Sequence, residues 1–258
     1  MTLDLMMTKV YLIGATGGVG KLLAKALTEK GFYVIGIGRR ENVLKDLLEK
    51  GLIKEYIVAD ITKKEDRKKI LEKITYNDIL FYNQGLIDPK TLEETTEEEI
   101  RKIFEVNIIS IMLMDQEMIL ENRIPLKIVY MGSISSVQSW GGGAAYQATK
   151  TALLAYISAM RIQDRNANRK VERIGIYPDT IKTGGMDERL KEYPKIDGEI
   201  FAKEVANILA GEYKGLDFLF QIDWDGKVRL YRMITDIYYR RPQPLAKELI
   251  KELGKAVY

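Results

Sequence analysis

The chain has 258 residues, 46% of them hydrophobic, and its 40 basic and 37 acidic residues leave a formal net charge of +3. This length can bury the core of one large domain, and the near balance of charge predicts no nucleic-acid partner. The sequence contains neither cysteine nor histidine, which excludes disulfides, thiol nucleophiles, histidine general bases and the usual zinc ligands, so we predict no metal site. Any chemistry must use tyrosine, lysine, serine, carboxylates or a bound cofactor.

The chain gives no sign of a targeting or membrane segment. No apolar run approaches the roughly 18 residues of a membrane span, and MTLDLMMTK lacks the basic start and apolar centre of a signal peptide. We therefore expect a cytoplasmic protein without a membrane partner. Its abundant Lys, Glu, Arg and Ile are typical of thermophiles.

The first predicted element is a strand, Lys9 to Ile13, which runs into a glycine-rich turn and a helix. The apolar stripe of that helix begins at Val19 and stops before Gly31. Glycines let a backbone turn tightly and approach a pyrophosphate, whose charge is held by free N–H groups at the helix N-terminus. This context predicts a nucleotide-binding loop; the alternative is a tight turn that needs glycine for its own geometry.

A second strand, Phe32 to Gly38, is followed by Arg39 and Arg40. At about this distance from the glycines, an acidic residue binds the ribose 2′-hydroxyl of NAD, whereas an arginine accommodates the 2′-phosphate of NADP. The pattern favours NADP (NADPH), with NAD possible. The alternative is that both arginines are surface residues that open the next helix.

Three further strands, EYIVAD, DILFY and KIVYM, deliver Asp60, Asn83 and Ser133 at or just after their ends. The carboxyl ends of the strands in an open parallel sheet form its ligand-binding edge. We therefore expect these side chains along one cleft, although polar residues at strand ends also serve as turn formers.

Two capping pairs open helices between these strands, Thr62 with Glu65 and Thr96 with Glu99. The second helix is predicted to be long and to pass through Asn107. Its segment IISIMLM is apolar almost all round, whereas a helix that packs only on its own sheet needs a single apolar stripe. The second face predicts a homodimer or homotetramer; the alternative is burial beneath the C-terminal tail.

The stretch from Ser133 to Lys150 supplies a hydroxyl, a phenol and an amine at fixed offsets. Tyr146 and Lys150 are four residues apart in a predicted helix, so both project from the same face. Because a nearby cation favours tyrosinate, we expect Lys150 to lower the pKa of Tyr146 from its ordinary value of about 10. The pair predicts acid/base chemistry; taken alone, it would also fit a surface tyrosine beside a solvated lysine.

A sixth strand, RIGIY, runs into PDTIKT, and the polar stretch that follows is predicted to be a lid or a connection. A helix and the strand FLFQI then complete an α/β Rossmann fold, a doubly wound parallel sheet of about seven strands with helices on both faces, in one domain over residues 1–258. The tail from about residue 225 is atypical. There, WDGKVRLYRMI predicts a hairpin that turns at Asp225 and Gly226, and PLAKELIKELG predicts a terminal helix.

With these residues assembled, the sequence resembles the short-chain dehydrogenase/reductase family over roughly residues 8 to 225. IGATGGVG matches the family's T-G-x-x-x-G-x-G, YNQG its N-N-A-G and PDTIKT its P-G-x-x-x-T, and Ser133 precedes Tyr146 by the family's thirteen positions. The chain departs from these patterns at Ile13, Gln84 and Asp179. These departures affect the expected substrate and subunit contacts more than the chemistry.

The resemblance implies an NADP(H)-dependent enzyme that interconverts a carbonyl and an alcohol. The implied catalytic residues are Ser133, Tyr146, Lys150 and Asn107, the last as support for a water relay to the lysine. The implied cofactor-binding residues are Gly14, Thr16, Gly18, Val19, Gly20, Arg39, Arg40, Asp60, Ile61, Asn83, Gly85, Tyr146, Lys150, Pro178, Ile181 and Thr183.

Two other functions stay open. Gly14, Gly17 and Gly20 also satisfy G-x-x-G-x-x-G, the spacing of the extended branch of sugar epimerases and dehydratases, which keep NAD bound through turnover. A module that senses NADP without catalysis is the third possibility. The stretch around Tyr146 and PDTIKT favour the compact reductase branch. The predicted lid, whose large apolar side chains are Met186, Leu190 and Tyr193, favours a small or medium carbonyl substrate.

Overall fold

The computed structural model describes residues 8–139, 142–183, 195–222 and 227–233. The strands in these ranges are β1 (Lys9–Ile13), β2 (Tyr33–Gly38), β3 (Glu55–Val58), β4 (Ile79–Tyr82), β5 (Lys127–Met131), β6 (Glu172–Pro178), β7 (Asp217–Ile222) and β8 (Val228–Arg232). They form a single sheet in the order β3-β2-β1-β4-β5-β6-β7-β8.

The helices of the same ranges are α1 (Gly18–Glu29), α2 (Glu41–Glu49), α3 (Lys64–Leu71), α4 (Glu97–Phe104), α5 (Ser110–Leu120), α6 (Ala144–Asn166) and α7 (Gly198–Leu209). A π-helical segment, Glu105–Ile109, joins α4 to α5. None of the helices described here combines the length and the apolar composition that a membrane crossing requires.

Strands β1 to β7 are parallel, and β8 pairs antiparallel with β7. The chain winds outward from β1 to β3 and then in the opposite direction from β4, so the order reverses between β1 and β4. Ligands bind at such reversals in open α/β sheets. The predicted Rossmann fold is confirmed, with eight strands rather than about seven. The predicted hairpin strand is β8, whereas its turn and the predicted terminal helix lie outside the described residues.

Hydrophobic clusters cover both faces of the sheet. Successive residues of β1 alternate between them: Val10 and Leu12 belong to one cluster, Tyr11 and Ile13 to the other. In a parallel sheet covered on both faces, a central strand is apolar at every position, which explains why β1 shows an apolar run and no alternation.

The two predicted helix caps had different outcomes. Thr96 and Glu99 form the predicted capping box, in which the hydroxyl accepts from the Glu99 amide at 3.2 Å and the carboxylate accepts from the Thr96 amide at 2.9 Å. The pair Thr62 and Glu65 is wrong, since α3 begins only at Lys64. The backbone N–H of Thr62 at 3.1 Å and its hydroxyl at 2.8 Å both donate to the Asp60 carboxylate, so Thr62 belongs to a turn that precedes the helix.

The predicted long helix through Asn107 is interrupted by the π-helical segment between α4 and α5. Such segments are rare and are frequently found at functional sites. The apolar sequence of this region does not distinguish a π-turn from an α-turn, so the interruption was not predicted.

A buried polar cluster ties α5 and α6 to the sheet. The hydroxyls of Tyr82 and Tyr130 each donate to Asp115 at 2.7 Å, and Tyr156 of α6 donates to it at 2.9 Å. Arg173 of β6 donates to the same carboxylate at 2.5 Å, and both charged side chains are at most 1% exposed. In this group of five residues, here called the Asp115 cluster, Arg173 balances the charge of Asp115 and the tyrosines supply the carboxylate with hydrogen bonds that water cannot.

Candidate active site

A cleft of about 1110 Å³ follows the carboxyl edge of the parallel strands. The residues expected at strand ends, Asp60, Asn83 and Ser133, all line it. Of the other sequence-predicted site residues, all but Asn107 also line it: Gly14, Thr16, Gly18, Val19, Gly20, Arg39, Arg40, Ile61, Gly85, Tyr146, Lys150, Pro178, Ile181 and Thr183. The predicted lid side chains lie outside the described residues.

The glycine turn between β1 and α1 excludes a side chain at Gly14 and at Gly20. Gly14 has a φ of +81°, which favours glycine, and a methyl group on Gly20 would lie 2.1 Å from the Gly14 carbonyl oxygen. The N-cap residue Gly17 offers no side chain to the first N–H groups of α1, which have no partner within the helix. The turn therefore presents main-chain donors to the cleft, an arrangement that fits a pyrophosphate.

The two arginines line the cleft between the end of β2 and the start of α2. The Arg39 guanidinium lies 3.6 Å from the Asp60 carboxylate, and Arg40 donates at 2.5 Å to the Thr16 carbonyl oxygen. Arg40 is also the N-cap residue of α2. Arg40 therefore directly precedes a helix, as expected if the two arginines were surface residues that open it. It also lines the cleft.

Ser133, Tyr146 and Lys150 meet in one wall of the cleft, and all three are buried. The Ser133 hydroxyl lies close enough to the Tyr146 phenol to act on its pKa. The Lys150 ammonium lies 5.7 Å from the centroid of the Tyr146 ring and donates at 2.7 Å to the Met131 carbonyl oxygen. Helix α6 supplies the phenol and the amine from one face, and the segment after β5 supplies the hydroxyl.

Burial controls the pKa values in this wall. It raises the pKa of Tyr146, a rise that the Ser133 hydroxyl only partly opposes. It also lowers the pKa of Lys150 to about 8. The expectation that Lys150 lowers the pKa of Tyr146 is therefore wrong for the protein without a bound cofactor. The lysine instead donates to Met131, and burial opposes the charged form of both residues.

Asn107 lies behind the cleft, in the π-helical segment. Its side chain accepts from the Leu86 amide at 2.8 Å and donates to the Leu86 carbonyl oxygen at 2.9 Å. It also donates to the Thr149 hydroxyl at 3.1 Å. Asn107 thus connects the segment after β4 to the residue before Lys150. Its role in a water relay stays a prediction.

Two polar groups of the cleft wall are buried without a hydrogen-bond partner among the described residues, the Asn83 Oδ1 and the Gln84 amide. The other amide atom of Asn83 donates to Gly14 at 3.2 Å. Buried polar groups are nearly always paired in native proteins, so these atoms fit a wall completed by a polar ligand. Within the described ranges, no group of three or more carboxylates could hold a metal ion.

Some cleft residues were missed by the sequence reasoning. Gln221 is the penultimate residue of β7 at the carboxyl edge, so the rule applied to the earlier strands could have identified it. The others lie mostly in irregular segments without such a signal. The principal missed residues are Leu86, Ile87, Pro89, Gln138, Gln221 and Ile222.

Comparison with known proteins agrees with this architecture. The sequence profile described as short chain dehydrogenase matches residues 8–194. An uncharacterized oxidoreductase of Listeria monocytogenes is 29% identical over 185 residues, which cover 67% of this chain and 74% of the relative. A 3-oxoacyl-(acyl-carrier-protein) reductase of Rickettsia typhi is 28% identical over 184 residues, 69% of this chain and 74% of the relative.

Solved structures share the fold. An alcohol dehydrogenase from the archaeon Thermococcus sibiricus, complexed with 5-hydroxy-NADP, has a TM-score of 0.70 at 22% identity and covers 92% of this chain and 99% of its own. A 3-ketoacyl-(acyl-carrier-protein) reductase from Brucella melitensis, complexed with NADH, has a TM-score of 0.70 at 20% identity. The match covers 84% of this chain and 98% of the Brucella melitensis chain.

A glycine turn at the switch point of a parallel sheet defines the class of Rossmann-type nucleotide-binding proteins. Within that class, the profile match over most of the chain shows that this protein belongs to the short-chain dehydrogenase/reductase family. It is accordingly an oxidoreductase of carbonyl and alcohol groups.

Proposed function

We propose that the protein is an NADP(H)-dependent oxidoreductase in which Tyr146 exchanges a proton with the substrate oxygen. The observation that carries this proposal is the shared cleft wall of Ser133, Tyr146 and Lys150, at the edge of the sheet that also holds the glycine turn. A purely structural tyrosine would have no need of a hydroxyl partner and a buried amine beside a nucleotide-sized cleft.

The residues present fit a nicotinamide dinucleotide. The main-chain donors of the glycine turn would bind its pyrophosphate, and Arg39 and Arg40 its 2′-phosphate. The Thermococcus sibiricus and Brucella melitensis structures, complexed with 5-hydroxy-NADP and NADH, support a cofactor of this class. When bound, this cofactor supplies or accepts the hydride. The preference for NADP rests on the two arginines.

The protein's own groups manage the proton. The raised pKa of Tyr146 keeps its hydroxyl protonated near neutrality, as a donor to a carbonyl oxygen requires. The Ser133 hydroxyl, close to the Tyr146 phenol, would donate to the same oxygen and hold it in place. Lys150, with a pKa of about 8, is protonated at neutral pH, and its ammonium lies 5.7 Å from the centroid of the Tyr146 ring. These protonation states favour reduction.

The test is a screen of aldehydes, ketones, diketones and sugars with NADPH and NADH, followed by Tyr146→Phe. The variant should bind cofactor as the unmodified protein does and lose turnover by at least about a hundredfold, the lower end of the range for a lost general acid. Tyr76→Phe changes an exposed tyrosine and should keep full activity. Turnover by Tyr146→Phe at a rate close to that of the unmodified protein would contradict the proposal. Stoichiometric NAD retained during purification, without net oxidation or reduction, would indicate an epimerase or dehydratase instead.

A further inference from the structure

The charged side chains of the cleft wall are unevenly distributed. Arg39, Arg40 and Asp60 follow β2 and β3, and Lys150 lies beside Tyr146. Beyond these groups, the remaining charged residue of the described wall is Asp179, directly after β6. Other polar groups on this side are the amides of Gln138 and Gln221. One end of the cleft is thus cationic, and the other carries a carboxylate.

The sheet register places Asp179 close to the reacting centre. Gly132 donates at 2.7 Å to the Ile176 carbonyl oxygen, so the segment with Ser133 runs beside the end of β6. Asp179 donates its backbone N–H at 2.7 Å to Phe220 of β7. The β5–β6 register pairs Met131 with Ile176, so its continuation by two residues brings Pro178 opposite Ser133, and Asp179 is the next residue. A small substrate on Ser133 and Tyr146 could reach this carboxylate.

The carboxylate of Asp179 has no cationic partner among the described residues. Its Oδ1 accepts from the backbone N–H of Thr180 at 2.7 Å, and its side chain is half-buried in the cleft wall. A carboxylate held in this way repels an anion and attracts a cation over several ångströms, most strongly where water is partly excluded. The family pattern P-G-x-x-x-T has glycine here, so the charge is a feature of this chain's own sequence.

We propose that Asp179 is a specificity-determining residue of the substrate end of the cleft. It admits carbonyl compounds that carry a neutral hydrogen-bonding group or an ammonium beside the carbonyl, and it excludes those that carry a carboxylate or a phosphate there. This inference rests on the proposed function, because it concerns the substrate of the same site.

The test compares three probes of similar size, hydroxyacetone, aminoacetone and pyruvate, as substrates with NADPH. Their intrinsic reactivities differ, so the measured quantity is the change in their kcat/KM ratios on Asp179→Asn. We expect the pyruvate-to-hydroxyacetone ratio to rise about tenfold or more, and the aminoacetone-to-hydroxyacetone ratio to fall, as removal of one nearby charge requires. Asp179→Ser, which also keeps an acceptor for Thr180, should act in the same direction.

The matched control is Asp46→Asn, which removes an equal charge from the exposed surface of α2 and should change neither ratio.

A binding measurement separates failure of this inference from failure of the proposed function. Dissociation constants of 1,2-propanediol, 1-amino-2-propanol and lactate are measured calorimetrically on the NADPH-saturated protein, whether or not turnover occurs. We expect lactate to bind more weakly than the other two compounds. Asp179→Asn should reduce the difference between its dissociation constant and theirs. Equal affinities, including no binding by any probe, or ratios that Asp179→Asn leaves unchanged, would overturn the inference.

Discussion

Gly18 and Thr183 are packed so closely that a methyl group on Gly18 would lie 2.9 Å from the Cβ of Thr183. Gly18 begins α1, and Thr183 lies beyond β6 in the chain. The contact therefore joins the glycine turn to the segment that follows β6, across the cleft edge of the sheet. Because of this contact, the position of the glycine turn depends on the position of the segment that follows β6.

Gly18→Ala should destabilise the protein by about 1–3 kcal/mol, the usual cost of overpacking, because Thr183 must move. Gly17→Ala is the matched control: a methyl group there would lie 3.4 Å from the Gly14 carbonyl oxygen, an ordinary contact. Urea unfolding gives both free energies. Thr183→Gly should recover part of the loss in a double-mutant cycle. Additive effects of the two substitutions would show that the contact does not exist in solution.

Replacement of Arg39 by Asp should remove most of the preference for NADPH over NADH. A charge-assisted hydrogen bond to phosphate contributes roughly 1.5–3 kcal/mol, which corresponds to about a ten- to hundredfold preference for each contact. Arg40, held on the Thr16 carbonyl oxygen, should retain part of it. Calorimetric dissociation constants at moderate salt measure the effect, with Lys45→Asp on the exposed face of α2 as the control for net charge. Equal binding of NADH by the unmodified protein would refute the NADP assignment.

Lys150 should make stability depend on pH between about 8 and 10.5. Its pKa is about 8 in the folded protein and ordinarily 10.5. Between these values the unfolded chain binds more protons, so the free energy of unfolding rises with pH. Below this pH interval Lys150 is charged in both the folded and the unfolded protein. Above the interval it is neutral in both. Urea unfolding from pH 7 to 10 should therefore show a rise, on the order of 2–3 kcal/mol, that Lys150→Met lacks. Parallel pH profiles would mean that the amine is hydrated.

Much of the fold could be predicted because local signals determine it. The apolar runs of β1 and β5 match their predicted bounds, and Thr96 with Glu99 forms its cap from neighbouring residues. Thr62 fits the same capping pattern, yet its backbone N–H and its hydroxyl both donate to Asp60 in a turn before α3. A capping pattern thus predicts a helix start only where the cap residue is not already held in such a turn.

The chemistry of the site was less predictable because it depends on burial. The four-residue spacing of Tyr146 and Lys150 correctly placed them together, but spacing does not show that both are desolvated. The direction of the Tyr146 pKa shift was therefore wrong. The Asp115 cluster could not be predicted for a related reason. Its members come from distant segments of the chain, and none of them belongs to a recognisable sequence pattern.

Self-association through α5 is the expected basis of an oligomer. Ile109, Met112 and Leu120 are large apolar residues that remain exposed along one side of this region. Light scattering at micromolar concentration should give a dimer or tetramer, and Met112→Glu should shift it toward the 29.5 kDa monomer. Tyr76→Glu, a change at another exposed position, should leave the mass unchanged. A monomeric unmodified protein would refute the oligomer.

Loss of Arg173 from the Asp115 cluster should be costly. Arg173→Met leaves Asp115 buried without its cation, for which about 3–5 kcal/mol of unfolding free energy is typical. Arg101→Met breaks the exposed pair of Arg101 with Glu97 and should cost less than about 1 kcal/mol. Urea unfolding compares the two. A loss in Arg173→Met no larger than in the surface variant would show that water reaches the cluster.

Strand β8 determines how the outer border of the sheet meets other molecules. A strand with one unpaired side is a template on which another chain can add and begin aggregation. Successive residues of β8 point to opposite faces, so Arg229 and Arg232 lie on opposite faces of this strand, the outermost one of the described sheet. Charged side chains on an edge strand hinder the addition of another chain. The antiparallel strand thus stands apart from the chemistry, because none of its residues lines the cleft at the carboxyl edge of the parallel strands.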